Sequence, residues 1–517
     1  PDYLETDKLK QGSFSASTSE AFSYNGDLNI AFGKLFVEKH QVNVVGGWSF
    51  SENKNKRDGY SVVGFNDDLH MNPAFSTGFT DGQKPNYSLE RSRSTSFFMN
   101  VNYSFMNRYL MDFNVRSDGT SKFGANKRFS TTWSVGLAWN IHNEEFMKSL
   151  GLFTNFKIRA SVGNPGNQNF DAYQAMKIYK YNVELQNMFG SSAIIDQFGN
   201  KDLDWQRTLD KNIGVDISML RNRIRVTLDY YYKDTDPLLI SVPMPPSVGV
   251  GSINANAGRQ LSWGWNGSIF GTVIQKQDMS WTLNMNFRTS KSEYRDIGDK
   301  LNEFNELGSA QSLVRYYEGA SPDDMWAVPS LGIDPATGAE MFRKKDGSQT
   351  FIYSTADEVV VGCSRPDVEG VIGSSFYYKG FSASVNFRYR LGGEVMASAL
   401  YSKVENISEE QIYYNQDKRA LHDRWQKPGD KAKFKSIKDT SPTPMSSRFV
   451  RTENTFSGES ISMGYESSAA WIKKIGAEGI TFRAYMNDIF RVSSFKEERG
   501  TDYPFARTVS FSLSLRF

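Results

Sequence analysis

Apolar and polar residues alternate with a period of two in many segments of the chain. In the last segment, apolar residues occupy every odd position from Val509 to Phe517, and serines or Arg516 occupy the even positions. Side chains of a β-strand point to opposite faces in turn, so this pattern predicts strands with one apolar and one polar face rather than helices. The same alternation recurs in Trp133 to Ile141, Phe156 to Val162, Ile224 to Tyr232, Trp281 to Phe287, Phe381 to Leu391 and Ile480 to Met486.

The links between these strands favour a membrane barrel over a soluble sandwich, although alternation alone fits both. Short links such as 106–108 and 276–278 mostly alternate with long ones, and we predict long loops over about 51–92, 164–209, 234–261 and 392–455. Outer-membrane barrels have tight turns on the periplasmic side and long loops outside. We count about fourteen to sixteen strand candidates of roughly ten residues or more, which is long enough to cross a bilayer when tilted.

Charged residues on the polar faces support the barrel. Charged side chains stay hydrated along a water-filled lumen, but they would be buried inside a sandwich. An Arg that faces lipid at mid-depth destabilises a barrel by about 2–4 kcal/mol. The residues concerned are Arg159, Arg225, Asp229, Arg288, Arg388 and Arg390. Tryptophans near strand ends fit the aromatic girdles of a barrel at Trp48, Trp133, Trp139 and Trp281. A soluble fold with ordinary aromatic packing is the alternative.

Composition and motifs narrow the function. The 517 residues carry 60 basic and 58 acidic side chains, which gives no electrostatic reason to expect nucleic-acid binding. No run approaches about eighteen consecutive apolar residues, so transmembrane helices are excluded. The lone Cys363 and four histidines offer no disulfide, zinc or hydrolase motif. We therefore predict that the chain is not an enzyme and has no catalytic residues, metal or cofactor.

A series of motifs follows in a recognisable order. Residues 203–264 contain Leu203-Asp204-Trp205, Asn212-Ile213-Gly214-Val215-Asp216, Leu228-Asp229-Tyr230-Tyr231-Tyr232-Lys233 and Asn256-Ala257-Gly258. Further on come Leu331-Gly332-Ile333-Asp334-Pro335, the hairpin Tyr378-Lys379-Gly380-Phe381, and Met486-Asn487-Asp488-Ile489-Phe490 before the closing strand. From about residue 100 to the end, this order resembles the SusC-like branch of the TonB-dependent outer-membrane transporters.

The resemblance implies an all-β fold, namely a transmembrane antiparallel β-barrel of 22 strands with a plug in its lumen. Residues 1–517 would be the C-terminal part of this barrel, and the plug and first strands would belong to a missing N-terminal part. The resemblance also implies a nutrient importer of the bacterial outer membrane, which takes up oligosaccharides or peptides. Its implied partners are a SusD-like lipoprotein as lid, the TonB complex through the missing part, the lipid bilayer and lipopolysaccharide. A dimer of transporter and lipoprotein pairs is a further implication.

Ligand contacts and an alternative function are left open by the sequence. Five residues flank or lie in two of the long loops and are predicted to bind ligand by stacking and hydrogen bonding: Trp205, Arg207, Tyr413, Tyr414 and Trp425. The last three belong to 392–455, which we expect to be the longest loop. Loop packing or a partner contact is the other explanation for each of them. The alternative function is a non-transporting barrel that serves as scaffold, adhesin or secretion component.

Overall fold

The computed structural model describes residues 12–65, 72–79, 84–122, 128–167, 177–188, 190–199, 206–243, 247, 249–250, 252–256, 258–297, 305, 313–474, 476–495 and 506–517. Most of the regular structure in these residues is antiparallel β-strand, and the helices are short. The prediction of an all-β fold is confirmed. No helix in this part of the chain is long and apolar enough to cross a membrane.

In the described residues, fifteen long strands form a meander in which each strand pairs with the next one along the chain. They are β1 (Ser13–Phe36), β2 (His40–Val63), β3 (Asn86–Phe105), β4 (Tyr109–Thr120), β5 (Phe129–Asn140), β6 (Phe153–Gly163), β7 (Gln206–Met219), β8 (Ile224–Thr235), β9 (Arg259–Lys276), β10 (Met279–Arg288), β11 (Val368–Tyr378), β12 (Phe381–Leu391), β13 (Thr455–Ser467), β14 (Gly479–Ser493) and β15 (Val509–Arg516). Their number lies within the predicted range. Among these strands, β1 pairs only with β2 and β15 only with β14.

Shorter elements extend the meander or lie in its links. Gly78–Phe79, Gly166–Asn167 and Lys291–Arg295 add short pairings to β2, β7 and β9. Further short strands are Ile178–Asn187, Gly190–Gln197, Leu239–Pro243, Ser252–Asn256, Asp324–Ala327, Ser330–Ile333, Glu340–Arg343, Gln349–Thr350, Val359–Cys363, Glu394–Met396 and Val450–Thr452. The helical pieces are Pro73–Phe75, Ile141–Asn143, Glu145–Lys148, Thr355–Asp357, Leu400–Glu405, Glu410–Tyr413, Lys418–His422, Ser447–Phe449 and Ala470–Lys474.

The links alternate in length, as predicted. One end of the meander has the tight turns 37–39, 106–108, 220–223, 277–278 and 379–380, together with the links 141–152 and 468–478, which carry short helices. The other end has 64–85, 121–128, 164–205, 236–258, 289–367, 392–454 and 494–508. At the tight turn 379–380, Lys379 and Gly380 have φ of 45° and 90°, the left-handed values that a two-residue hairpin of the common mirror-image type requires.

The bounds of the predicted loops need correction. Residues 51–63 and 86–92 belong to β2 and β3, which continue to pair beyond their apolar part. There the outward side chains become polar: Glu52 accepts hydrogen bonds from the Nε atoms of Arg91 and Arg93 at 2.5 and 2.8 Å. The longest link is 289–367 and not 392–454, so the prediction of the longest loop is wrong. The short strand pairs in 289–367 resemble barrel hairpins in the sequence. Strand also reaches into the other predicted loops at 206–209, 234–235 and 259–261.

The pairing register separates an apolar face from a polar face. Between β14 and β15, Phe482 pairs with Leu513, and Arg483 pairs with Ser512. The side chains of Phe511 and Leu513 are 69% and 65% exposed on the outward face. Polar residues occupy the alternate positions. In β4 to β10, the polar residues of the inward face line a common concave space. This is the arrangement that the alternating pattern predicts.

Residues 313–367 and 392–454 form a compact unit at the long-link end, which we call the outer lobe. Leu313 and Ala327 from its first segment are buried against Val450 from its second. A second buried cluster contains Val404 and Phe434 with Ala420. The outer lobe thus has conventional hydrophobic clusters, and the first of them joins its two segments.

Candidate functional site

A cavity of about 880 Å³ lies on the polar, concave face of strands β4 to β10. Its wall carries hydroxyl and amide groups, because the inward positions of these strands hold small polar residues: Asn114, Ser134, Ser161, Asn212, Ser262 and Asn266. Such a wall offers many hydrogen-bond donors and acceptors. It suits a hydrated, polar ligand better than an apolar one.

Arg159 on β6 is the centre of an ion cluster in this wall. Its Nε donates a hydrogen bond to Asp216 Oδ2 at 3.0 Å, and its Nη1 lies 2.7 Å from Asp229 Oδ1. The two aspartates come from β7 and β8, so the cluster connects three adjacent strands. Gly214 makes room for it, since a Cβ at that position would stand only 2.3 Å from Asp229 Oδ1. The cluster therefore presents a fixed guanidinium and the carboxylate of Asp229 to the cavity.

The outer rim of the cavity is tied to the outer lobe. Arg365 Nε lies 2.7 Å from Asp323 Oδ2, and Arg365 Nη1 donates to Ser290 Oγ at 2.6 Å. The hydroxyl of Tyr231 on β8 donates to the same Ser290 oxygen at 2.8 Å. A displacement of the outer lobe would consequently move polar groups that line the cavity.

Buried ion pairs hold the outer lobe together. Arg315 is fully buried, and its Nε and Nη2 donate to the two carboxylate oxygens of Glu358 at 2.7 Å each. Arg448 in the second segment donates to Glu340 in the first at 2.8 Å and to Glu405 at 2.7 Å. Charge-assisted, bidentate pairs of this kind fix geometry as well as charge. They connect distant parts of the sequence into one body.

Burial and hydrogen bonds shift the pKa of two side chains in the outer lobe, Tyr353 and Arg448. Burial, followed by the charge of Glu358, raises the pKa of Tyr353 to about 12. Burial by itself lowers the pKa of Arg448, but its hydrogen bonds to Glu405 and Glu340 outweigh this effect and raise it. The Tyr353 hydroxyl therefore stays protonated and the Arg448 guanidinium stays charged near neutral pH.

Two of the four histidines make local contacts at the tight-turn end. His40 Nδ1 lies 2.8 Å from the Tyr103 hydroxyl, and His142 Nδ1 contacts the backbone of Phe156 at 3.3 Å. Both histidines lie at the tight-turn end and do not line the cavity. Within the described ranges, no three His, Cys, Asp or Glu residues are grouped so as to hold a metal ion.

The predicted ligand residues that the structure describes do not line this cavity. Trp205 lies outside the described residues. Arg207 on β7 is exposed and lies on the outward face. Even-numbered residues of β7, such as Asp210, face inward, so the odd-numbered Arg207 faces outward. Tyr413 and Tyr414 are 85% and 76% exposed on the outer lobe. They and Arg207 do not line the cavity.

Trp425 has a packing contact inside the outer lobe. Its Nε1 donates to the carbonyl oxygen of Pro335 at 2.9 Å. Gly338 lies against the indole, and a Cβ there would come within 2.5 Å of the ring. Whether any of the five residues binds ligand stays a prediction.

The cavity residues are the ones that the sequence reasoning did not select as a site. Arg159, Asp229 and Arg288 were predicted to face the lumen, and all three line the cavity. The available signal was the presence of charged residues at polar positions of period two in successive strands. That signal predicts whether each residue faces inward or outward. It does not predict which strands together enclose the cavity.

Taken together, these features define a class of protein. An outward apolar face, a polar concave face, tight turns at one end and long links at the other are the properties of an outer-membrane β-barrel. The sequence profile of the family described as "TonB dependent receptor-like, beta-barrel" matches residues 2–334. The chain belongs to this family, whose members are outer-membrane receptors and transporters and not enzymes.

Curated relatives agree with this membership. The chain is 25% identical over 521 residues to "TonB-dependent receptor P39" of Formosa agariphila, which covers 90% of this chain and 49% of the relative. It is 26% identical over 463 residues to "TonB-dependent receptor SusC" of Bacteroides thetaiotaomicron, which covers 83% of this chain and 44% of SusC. The chain thus spans about half the length of the curated relatives it matches. The prediction of a SusC-like barrel in the outer membrane is confirmed.

A solved structure has the same fold. The chain superposes on "Structure of the RagAB peptide transporter" with a TM-score of 0.80 and 21% sequence identity. The match covers 93% of this chain and 53% of that one. At this level of sequence identity, the structural match shows a shared fold.

Proposed function

We propose that this chain forms the wall of an outer-membrane importer and that a polar oligomeric nutrient, an oligosaccharide or a peptide, passes along the cavity of β4 to β10. The observation that carries the proposal is the 880 Å³ polar cavity with the Arg159 ion cluster at its wall. Fixed donors and acceptors can exchange hydrogen bonds with hydroxyl or amide groups of a passing ligand. A structural neighbour is named a peptide transporter, which supports a peptide as the substrate.

We further propose that uptake requires a SusD-like lipoprotein as lid and the TonB complex as the source of energy. The outer lobe is the part of the described structure that a lid would meet, because it stands at the long-link end and exposes Tyr413 and Tyr414. The ligand contacts predicted for Trp205, Tyr413, Tyr414 and Trp425, and the dimer of transporter and lipoprotein pairs, belong to the same proposal, whereas the outward position of Arg207 does not favour a contact with a ligand in the cavity.

A blocked cavity tests the transport route. Asn212→Trp places an indole on the inward face of β7, and we expect uptake of a peptide or oligosaccharide mixture by cells expressing the variant to fall by about tenfold or more. Val215→Trp is the matched control, because it changes the outward face of the same strand and leaves the cavity open. Heat-modifiable migration on gels shows that both variants fold.

Two results would count against the proposal. Unchanged uptake with Asn212→Trp would show that the cavity is not the route. Complete absence of energy-dependent uptake by the unmodified protein, with the cavity intact, would favour the non-transporting scaffold, adhesin or secretion component.

A further inference from the structure

A small side pocket of about 220 Å³ adjoins the polar cavity at the long-link end of β10. It is lined by Arg288, Ser290, Arg365, Pro366 and Glu369. Arg288, Ser290 and Arg365 also line the cavity of 880 Å³, so the two spaces share one wall. Because the side pocket is much smaller than the cavity, it suits one side group of a ligand and not the whole ligand.

Arg288 differs from the other cations of the cavity wall, because it forms no ion pair in the part of the chain that the structure describes. The other four each have a carboxylate within 4.0 Å: Arg116 has Asp118, Arg159 has Asp216 and Asp229, Lys233 has Asp210, and Arg365 has Asp323. The side chain of Arg288 is exposed on the inward face. Its guanidinium offers five N–H donors and no acceptor. It is therefore available to a ligand.

Glu369, the carboxylate beside Arg288, already has a partner. It stands next to Arg288 on one side in the register and next to Arg390 on the other. Its Oε2 lies 3.6 Å from Arg390 Nε, and among the described residues no ion pair joins it to Arg288. The neighbour of Arg288 on β9 is Asn266, which is neutral. The charge of Arg288 is consequently left uncompensated by the adjacent strands.

Ser290 adds a hydroxyl donor to the same pocket. Its Oγ accepts hydrogen bonds from Arg365 Nη1 at 2.6 Å and from the Tyr231 hydroxyl at 2.8 Å. A serine hydroxyl has two acceptor lone pairs and one donor, so these two bonds leave its O–H for another acceptor. Arg288 and Ser290 thus present donors to one small space. An anionic group with two oxygens complements them, since a guanidinium binds such a group through two parallel hydrogen bonds.

We infer that this side pocket selects ligands that carry a carboxylate side group and that Arg288 binds the carboxylate. The inference rests on the proposed function, because the chain of the ligand would lie in the main cavity. Acidic peptides carry the required group as glutamate or aspartate, and acidic oligosaccharides carry it as uronate. The shared chemistry is a polar oligomer with carboxylates along its chain.

Binding of fluorescent ligands to the protein purified from outer membranes in mild detergent tests the inference. One arm compares a peptide of alternating alanine and glutamate with its glutamine counterpart, and the other compares an oligogalacturonate with its methyl ester. Fluorescence anisotropy should show that the acidic member of at least one pair binds about tenfold more tightly, as a charge-assisted hydrogen bond provides. Added salt should reduce this preference. The arm that shows it identifies the kind of oligomer.

Variants with opposite expected effects assign the preference to the side pocket. Arg288→Gln should weaken binding of the acidic ligand by about tenfold and leave the neutral ligand unchanged. Glu369→Gln removes a like charge from the pocket and should strengthen binding of the acidic ligand by about threefold. Arg225→Gln is the matched control, because Arg225 faces inward on β8 over the Phe270 ring at 4.2 Å and lines neither space. It should leave the preference unchanged.

Failure of this inference can be told apart from failure of the proposed function. Equal binding of the acidic and neutral members in both arms, abolished by Asn212→Trp, would overturn the inference and leave the cavity as the route. A preference that survives Arg288→Gln, or that Arg225→Gln also removes, would overturn it as well. Binding of none of these ligands would contradict both the inference and the proposed function. Heat-modifiable migration shows that each variant folds.

Discussion

The barrel wall and the outer lobe place their apolar residues in opposite ways. In the wall, large apolar side chains such as Phe511 and Leu513 point outward and are exposed on the protein alone. In the outer lobe, Leu313, Ala327 and Val450 are buried against one another. The wall relies on lipid for its apolar environment and on the hydrogen bonds between strands for its order. The outer lobe carries its own core, as a soluble domain does.

The two regions also differ in how they hold charge. Ion pairs of the wall, such as Arg388 with Glu459, are partly exposed to the watery side. The pair of Arg315 and Glu358 in the outer lobe is almost completely buried. Removal of one partner therefore has different consequences, because a charge left in the wall is hydrated and a charge left in the outer lobe is not.

The largest effect is expected from Glu358→Ala in the outer lobe. Arg315 would remain buried without a counterion, and we expect the outer lobe to lose about 3–5 kcal/mol of stability. Hydrogen exchange of its backbone amides measures the loss, and the barrel should keep its heat-modifiable migration. Glu410→Ala changes an exposed carboxylate of the same lobe and should have no effect. Exchange rates equal to those of the unmodified protein would mean that the buried pair does not stabilise the lobe.

A smaller effect is expected from an arginine on the outward face of the wall. Leu513→Arg should cost about 2–4 kcal/mol if the residue lies near mid-depth of the bilayer, and should lower the folded fraction in outer membranes. Ser514→Arg is the control, because Ser514 faces inward and pairs with Thr481. The folded fraction on gels compares the two variants. Similar losses at both positions would contradict the assignment of the faces.

The smallest effect is expected for the pair of Arg388 and Glu459. Its two hydrogen bonds are 2.7 and 3.0 Å long, but both side chains are more than a third exposed. A double-mutant cycle with alanine at each position should give a coupling of about 0.2–1 kcal/mol in denaturant unfolding. A coupling as large as that expected for a buried pair would remove the distinction between the wall and the outer lobe.

The barrel wall could be predicted from the sequence because the alternation of apolar and polar residues is visible within each strand. Alternation between Val509 and Phe517 reveals the two faces without knowledge of any partner strand. The same rule assigned Arg159 and Arg288 to the watery side. It could not show that both line one cavity, since this depends on the curvature of the sheet.

The outer lobe could not be predicted because its interactions join residues that are far apart in the chain. Arg448 forms a hydrogen bond with Glu340, and Trp425 packs against Gly338. No periodic pattern in the sequence connects the two residues of either pair. The short strands of 289–367 have the alternation of a barrel hairpin on a smaller scale, so this link was not recognised as the longest. Tyr413 and Tyr414 were selected by residue type alone, which says nothing about the cavity.

The length of the first hairpin has a consequence at the cell surface. A strand of 24 residues such as β1 measures roughly 80 Å, whereas the apolar band of a barrel is about 25 Å tall. Even with a tilt of about 40°, more than half of the paired ribbon stands clear of the lipid. The bonds of Glu52 to Arg91 and Arg93 stiffen the lower part of this projection. Antibodies and bacteriophages that approach such a cell would contact this projecting β-hairpin before they reach the bilayer.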